Sequence, residues 1–271
     1  KDAALYVLDH LNPDDGFNVV AFSSGVRTFS EEIEPASSRE DGKEFVEGLE
    51  AMGGTDIDRA LLEAAKTADP DRLTTVIFLT DGLATVGVED AETILENVAE
   101  AAPEAVRIFS FGVGDDVDTD LLDQLSIDHG GASTYVRPGQ KINETVTAFY
   151  TKIDSPVLSN PDVDFGSIKT DQIYPEMVPD LFAGSQLVMV GRYRNGGKTT
   201  ITLSGTVNER EVSIIYPGNN FIEDGGAEFI PRLWATRAIG SYLTEIRLHG
   251  EDQELVDAIV ALSIRYGIIT P

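Results

Sequence analysis

Through residues 1–154, stretches with the continuous apolar or alternating character of strands take turns with stretches of helical period. No other property narrows the fold as much, because alternating strands and helices bury both kinds of surface most economically as a parallel or mostly parallel sheet between helices. The sharpest strand is the run Val76-Ile77-Phe78-Leu79, which extends back through Thr74 and Thr75 and gives way to Thr80-Asp81-Gly82. Its length and its β-branched and aromatic content predict a strand buried on both faces. Asp81 then falls at the strand's carboxyl end, the edge at which open α/β sheets bind their ligands.

The other elements follow from spacing. A helix over 1–12 places Ala3, Ala4, Val7, Leu8 and Leu11 on one face, and Asn12-Pro13-Asp14-Asp15-Gly16 has turn composition. FNVVAFSS, from Phe17, reads as a strand, with VRTFSEEI after Gly25 as its hairpin partner or an edge strand. Helices are predicted over 40–49, from Asp56, over 90–101, over 118–125 and over 142–153. Further strands are VRIFSFGVG from Val106 and a short one over 133–136.

The composition shifts at Ser155-Pro156, which predicts a boundary at 154–156. Residues 155–226 contain LVMVGRY, TTITLSGTV and REVSIIYP, separated by Gly-Gly and Asn-Glu turn signals, and read as antiparallel sheet. Residues 227–271 read as a tail of two helices, with Leu233, Trp234 and Tyr242 as core between the tail and the sheet. Arg192 and Arg194 are expected on a solvated strand face.

The chemistry open to this chain is limited by what it lacks. There is no cysteine, so disulfides and thiolate metal sites are excluded and hard oxygen donors or imidazole remain. A balance of 47 acidic against 20 basic residues, net charge -27, repels nucleic acid and anionic lipid and attracts cations or basic partners. No apolar run reaches the roughly 18 residues of a membrane span. The opening KDAALYVLDHL reads as the interior of a helix, so the chain is expected to continue upstream.

Catalytic motifs are missing too. FGVGDD supplies two glycines of a dinucleotide fingerprint without the third, and neither a phosphate-binding P-loop nor a Gly-x-Ser-x-Gly elbow occurs. His10, His129 and His249 are far apart and read as surface or capping residues. In the run Asp115-Asp116-Val117-Asp118-Thr119-Asp120, a calcium loop counted from Asp116 would put Leu121 where glycine is needed and Ile127 where glutamate is needed. Asp118 is better placed to cap a helix. The best enzymatic alternative is a receiver-like phosphoacceptor at Asp81, but FSFGVG offers none of the lysine such a site needs.

Two segments remain, Gly53-Gly54-Thr55-Asp56 and Thr80-Asp81-Gly82. Thr55 would sit at the amino end of one helix and Asp81 at the carboxyl end of a strand. A hydroxyl and a carboxylate suit a divalent cation that keeps some of its water. The same residues also serve as an ordinary helix cap and an ordinary turn.

KDAALYVLDHL, FNVVAFSS, GGTD, FLTDG and FSFGVGDDVDTDLLDQL, in the same order and at similar spacings, resemble the von Willebrand factor A domain. IRLHGEDQELVDAIVALSIRYGIITP resembles the region that follows that domain in inter-alpha-trypsin inhibitor heavy chains and their bacterial relatives. The resemblance implies a Rossmann-like A domain over 1–154, then a β-rich region and two helices. It also implies a metal-ion-dependent adhesion site in which Thr55 and Asp81 join an Asp-x-Ser-x-Ser loop around magnesium or manganese, with calcium as a further candidate. No Asp-x-Ser-x-Ser occurs in residues 1–271, so that loop is expected upstream together with the domain's first strand. The implied partner is a protein presenting a carboxylate, and the implied location is extracellular, cell-surface or periplasmic. A structural module with a non-functional metal site is the alternative.

Overall fold

Helix and strand alternate through the first part of the computed structural model, which describes residues 1–51, 53–70, 72–153, 156–182, 186–207 and 210–270. The chain divides into two compact units, Lys1–Asp154 and Ser155–Pro271. Residues 154 and 155 of the expected boundary lie outside the described residues, as do Met52 of the predicted loop and Asn208 and Glu209 of the predicted turn.

The first unit runs α1 (Asp2–Asp9), β1 (Gly16–Phe17), β2 (Val20–Phe22), β3 (Val26–Thr28), β4 (Glu34–Pro35), α2 (Arg39–Glu47), α3 (Ile57–Thr67), β5 (Thr74–Thr80), α4 (Ala91–Ala101), β6 (Val106–Val113), α5 (Thr119–Asp128), β7 (Ser133–Val136) and α6 (Ile142–Ile153). Strands β5, β6 and β7 form a parallel sheet in that order, with Thr80 opposite Gly112 and Val113 opposite Val136. Strands β2 and β3 form a separate antiparallel hairpin.

Side chains alternate across β6 and so define two layers. On one face Ile108 joins Ile57 and Leu61 of α3, Phe78 of β5, Ile94 and Val98 of α4, and Leu121, Leu122 and Leu125 of α5 in a buried core. Ser110, on the same face, accepts a hydrogen bond from Ser126 of α5 at 2.9 Å, so this buried hydroxyl pair is satisfied internally. On the other face Phe109 and Phe111 meet Phe149 of α6 at 4.7 and 5.0 Å between ring centroids. Asp123 of α5 accepts hydrogen bonds from Ser133 and Tyr135, which ties α5 to β7.

The structure corrects two strand expectations. FNVVAFSS is not one strand: the Asn18 amide oxygen accepts from Val19 and Ser30 backbone N–H groups and its nitrogen donates to the Ser30 carbonyl, so a side chain takes over the ladder and splits β1 from β2. Strand β5 is not buried on both faces, since Thr75 is exposed and only Phe78 and Thr80 are buried. The reason is its place in the sheet. Among the described residues β5 pairs with β6 alone, and it is β6 that is buried from Val106 through Gly112.

The second unit contains β8 (Pro156–Asp164), β9 (Thr170–Tyr174), β10 (Leu181–Phe182), β11 (Val190–Tyr193), β12 (Gly197–Val207), β13 (Arg210–Phe221), α7 (Phe229–His249) and α8 (Gln253–Tyr266). One antiparallel sheet has the order β10-β8-β12-β13, and β9 pairs with β11. Strands β8, β9 and β10 go beyond the segments expected from sequence. Pro161 inside β8 is tolerated because the register shifts there: Asp162 faces Ser204 and Ser159 faces Thr206, leaving Asn160, at φ 48°, and Pro161 opposite Gly205 as a bulge.

Trp234 is buried with Ala235, Ala238 and Tyr174, and Tyr242 packs against them. Its indole N–H donates to the Gln172 carbonyl at 2.9 Å. Leu233, expected in this core, is 37% exposed, because it lies on the neighbouring face of α7. Arg192 is exposed on β11, as expected, and its guanidinium also lies 5.2 Å from the Trp234 ring centroid, a cation–π contact. Arg194 pairs with Asp171 at 2.9 Å.

Candidate metal centre

The amino end of α3 is pinned residue by residue. Gly54 N–H donates to the Ser24 hydroxyl at 2.8 Å, Thr55 N–H to the Thr85 hydroxyl at 2.9 Å, and Asp56 N–H to the Ser23 carbonyl at 2.9 Å. The glycines are there for space and conformation. Gly53 has φ +43°, and a Cβ on Gly54 would lie 2.5 Å from Val86 Cγ2. Asp56 caps α3 by accepting from Arg59 N–H at 3.2 Å. Thr55 precedes the cap, and its hydroxyl is not used in capping.

The carboxyl end of β5 is closed by a different residue from the one sequence reasoning singled out. The Thr80 hydroxyl donates to the Gly82 carbonyl at 3.1 Å and accepts from Gly82 N–H at 3.4 Å. The turn therefore does not consume Asp81, whose side chain is exposed. The two loops meet: a Cβ built on Gly82 would have the Thr55 hydroxyl as its neighbour at 3.4 Å. Thr55 thus lies against the residue that follows Asp81.

Among the described residues, neither the Thr55 hydroxyl nor the Asp81 carboxylate has a hydrogen-bond or ion-pair partner. Both are hard oxygens, and that donor chemistry fits a magnesium-like cation. No group of three or more histidines and acids is placed to hold a metal ion among the described residues. Further ligands would have to be water, hydroxyls, carbonyls or groups outside those residues.

Sequence reasoning missed Ser24 and Thr85. The serine pair ending FNVVAFSS was a signal for the first, since small hydroxyl residues at a strand's carboxyl end commonly bond neighbouring backbone. Thr85 carried no local signal. The remaining candidates have structural uses: Asp118 caps α5 by accepting from Leu121 N–H at 3.0 Å. His10 and His129 stand at the C-terminal caps of α1 and α5, and burial holds the His129 imidazole below its ordinary pKa.

Residues 1–135 match the von Willebrand factor type A domain, and this part of the chain belongs to that family. Over its whole length it is similar to inter-alpha-trypsin inhibitor heavy chain H4 of Homo sapiens, with 27% identity over 294 residues that cover 100% of this chain and 32% of the relative. It is likewise 26% identical to heavy chain H2 of Mus musculus, covering 100% of this chain and 31% of the relative. The chain therefore spans about a third of the length of these relatives. A solved structure of a von Willebrand factor type A protein from Catenulispora acidiphila shares the fold with a TM-score of 0.65 and 16% identity, covering 98% of this chain and 74% of that one. The ArnB paralog VWA2 from Sulfolobus acidocaldarius does so with a TM-score of 0.51 and 12% identity, over 98% of this chain and 74% of that one.

Proposed function

We propose that this chain is a protein-binding module in which Thr55 and Asp81 contribute two oxygens to a divalent cation, and that it is not a catalyst. What supports the reading is that the Thr55 hydroxyl lies beside Gly82, the residue after Asp81, at the carboxyl end of β5, and that neither hard donor has a hydrogen-bond or ion-pair partner among the described residues. The remaining coordination positions are assigned to water and to an Asp-x-Ser-x-Ser loop outside residues 1–271. Magnesium or manganese is the expected ion, with calcium as a further candidate. A bound cation supplies local positive charge on a protein of net charge -27, so that an acidic side chain of a partner is attracted where the overall field repels it. The similarity to inter-alpha-trypsin inhibitor heavy chains supports the expected extracellular, cell-surface or periplasmic location. No helix among the described residues is long and apolar enough to cross a membrane.

The competing reading is a packing module of a larger protein with no working metal. It is favoured by the lack of a third acid or histidine at the site among the described residues. Thermal melting of the full-length protein with and without magnesium or manganese separates the two. A cation at 100 times its dissociation constant adds about 2.7 kcal/mol to stability. The metal reading predicts that gain in the native protein and its loss in Asp81→Ala, whereas a gain that survives the substitution places the ion elsewhere.

A further inference from the structure

The β5–α4 connection does more than carry Asp81. Three hydrogen bonds join Thr85 and its neighbour to Thr55: Thr55 N–H donates to the Thr85 hydroxyl at 2.9 Å, and the Thr55 carbonyl accepts from Thr85 N–H at 3.0 Å and from Val86 N–H at 3.3 Å. Both backbone groups of Thr55 are thereby committed to a segment that begins four residues after Asp81. The packing leaves little slack, since a Cβ on Gly54 would meet Val86 Cγ2 at 2.5 Å and the Thr85 hydroxyl at 3.1 Å, and one on Gly87 would meet the Asp56 carboxylate at 2.7 Å.

The tie has a geometric consequence. Asp81 and Thr55 lie on different segments, and their separation would otherwise depend on how α3 packs beside β5. With Thr85 bonded to Thr55, a short run of backbone from Asp81 through Gly82, Leu83 and Ala84 closes a ring between the two donors. Such a ring limits their relative movement in the ion-free state, and pre-organised ligands lose less conformational freedom when an ion binds. The Ser24 hydroxyl and Ser23 carbonyl hold residues 54 and 56, so they tie the start of α3 to the β2–β3 hairpin and not to the loop of Asp81.

From this we infer that Thr85 is the positioning residue of the centre, setting the spacing of Thr55 and Asp81 through its hydroxyl. The inference rests on the proposed metal reading. The hydroxyl is required as an acceptor for Thr55 N–H, so Thr85→Ser retains the function and Thr85→Val, of similar shape but without the oxygen, does not. An exposed side chain that merely helped the loop to pack would show the reverse ranking, because valine preserves the shape and serine removes the methyl group.

The test is calorimetric titration of magnesium and of manganese into the full-length protein, comparing native, Thr85→Ser, Thr85→Val, Thr85→Ala and Asp81→Ala. Loss of one hydrogen bond to the backbone corresponds to an affinity loss of about tenfold in Thr85→Val and Thr85→Ala, with Thr85→Ser within about twofold of native. Amide hydrogen exchange at Thr55, measured in EDTA, reads the tie without any ion. It is expected to accelerate in the valine and alanine variants and to stay near native in serine. If Asp81→Ala abolishes ion binding while Thr85→Val binds as native does, the positioning role is overturned and the metal reading stands. Valine and serine variants equally weakened also overturn the role, and ion binding that survives in Asp81→Ala overturns the metal reading itself.

Discussion

Phe22 and Phe78 stack with ring centroids 5.5 Å apart and planes 16° from parallel, although β2 and β5 belong to separate sheets. Side chains therefore join the hairpin to the parallel sheet where no backbone ladder does so among the described residues. Phe78 is 5% exposed at the centre of the core shared with α3 and α4, whereas Phe22 is half-buried at its margin.

Truncating Phe78 to alanine should cost ~3–5 kcal/mol, and truncating Phe22 should cost less. A double-mutant cycle in denaturant should return a coupling of ~0.5–1.5 kcal/mol for the ring pair. Simple additivity would mean that the hairpin is held by other contacts.

Two glycine-to-alanine substitutions should move stability in opposite directions. A Cβ on Gly131 would lie 1.9 Å from the Ile108 carbonyl oxygen, a backbone atom of β6 that cannot yield without disturbing the central strand. Gly131→Ala is expected to cost at least ~3 kcal/mol. Gly240 lies exposed within α7 with nothing near its Cβ position, so Gly240→Ala should add ~0.5–1 kcal/mol through helix propensity. Chemical denaturation of both variants checks the pair.

Acid sensitivity should trace in part to Asp9 and Asp90. The hydrogen bond from Lys43 holds Asp9 below the ordinary 3.8, and bonds from the Thr93 hydroxyl and N–H do the same for Asp90. A carboxyl whose pKa falls on folding lends stability that is complete above its unfolded value and is lost as pH drops through the folded one. That contribution is thus intact at neutral pH and disappears below about 3.8, the unfolded value. Carbon-detected NMR titration should place both carboxyls under that value, and Asp90→Asn should remove its share of the acid limb.

Trp234 is the single tryptophan, so its fluorescence reports on the second unit. Emission should shift to the red as that unit unfolds, when the indole leaves its site against Tyr174 and Ala238. Arg192→Met removes the cation above the ring at a cost of ~0.5–2 kcal/mol. Trp234→Ala should cost ~3–5 kcal/mol, through loss of packing.

The first unit was largely readable along the chain because its signals are local. Ser133–Val136 and Ile142–Ile153 fall where periodicity placed them, and Asp56, Asp90 and Asp118 cap the helices they precede. In the second unit, β8 was hidden because Pro161 argues against a strand interior, and only a bulge opposite Gly205 makes room for it. Asn18 likewise disguised the break between β1 and β2, because its amide bonds across to Ser30, twelve residues away.

The residue order alone determined the alternation of elements, the hydroxyl at 55, the carboxylate at 81 and the exclusion of sulfur ligands, since each depends on neighbours in sequence or on composition. Tertiary structure decided that, among the described residues, β6 and not β5 is the strand covered on both faces, that Thr80 and not Asp81 closes the turn, and that Thr85 holds Thr55. Those relations depend on which segments pack side by side, and a hydrogen bond between residues thirty apart leaves no trace in the pattern around either one.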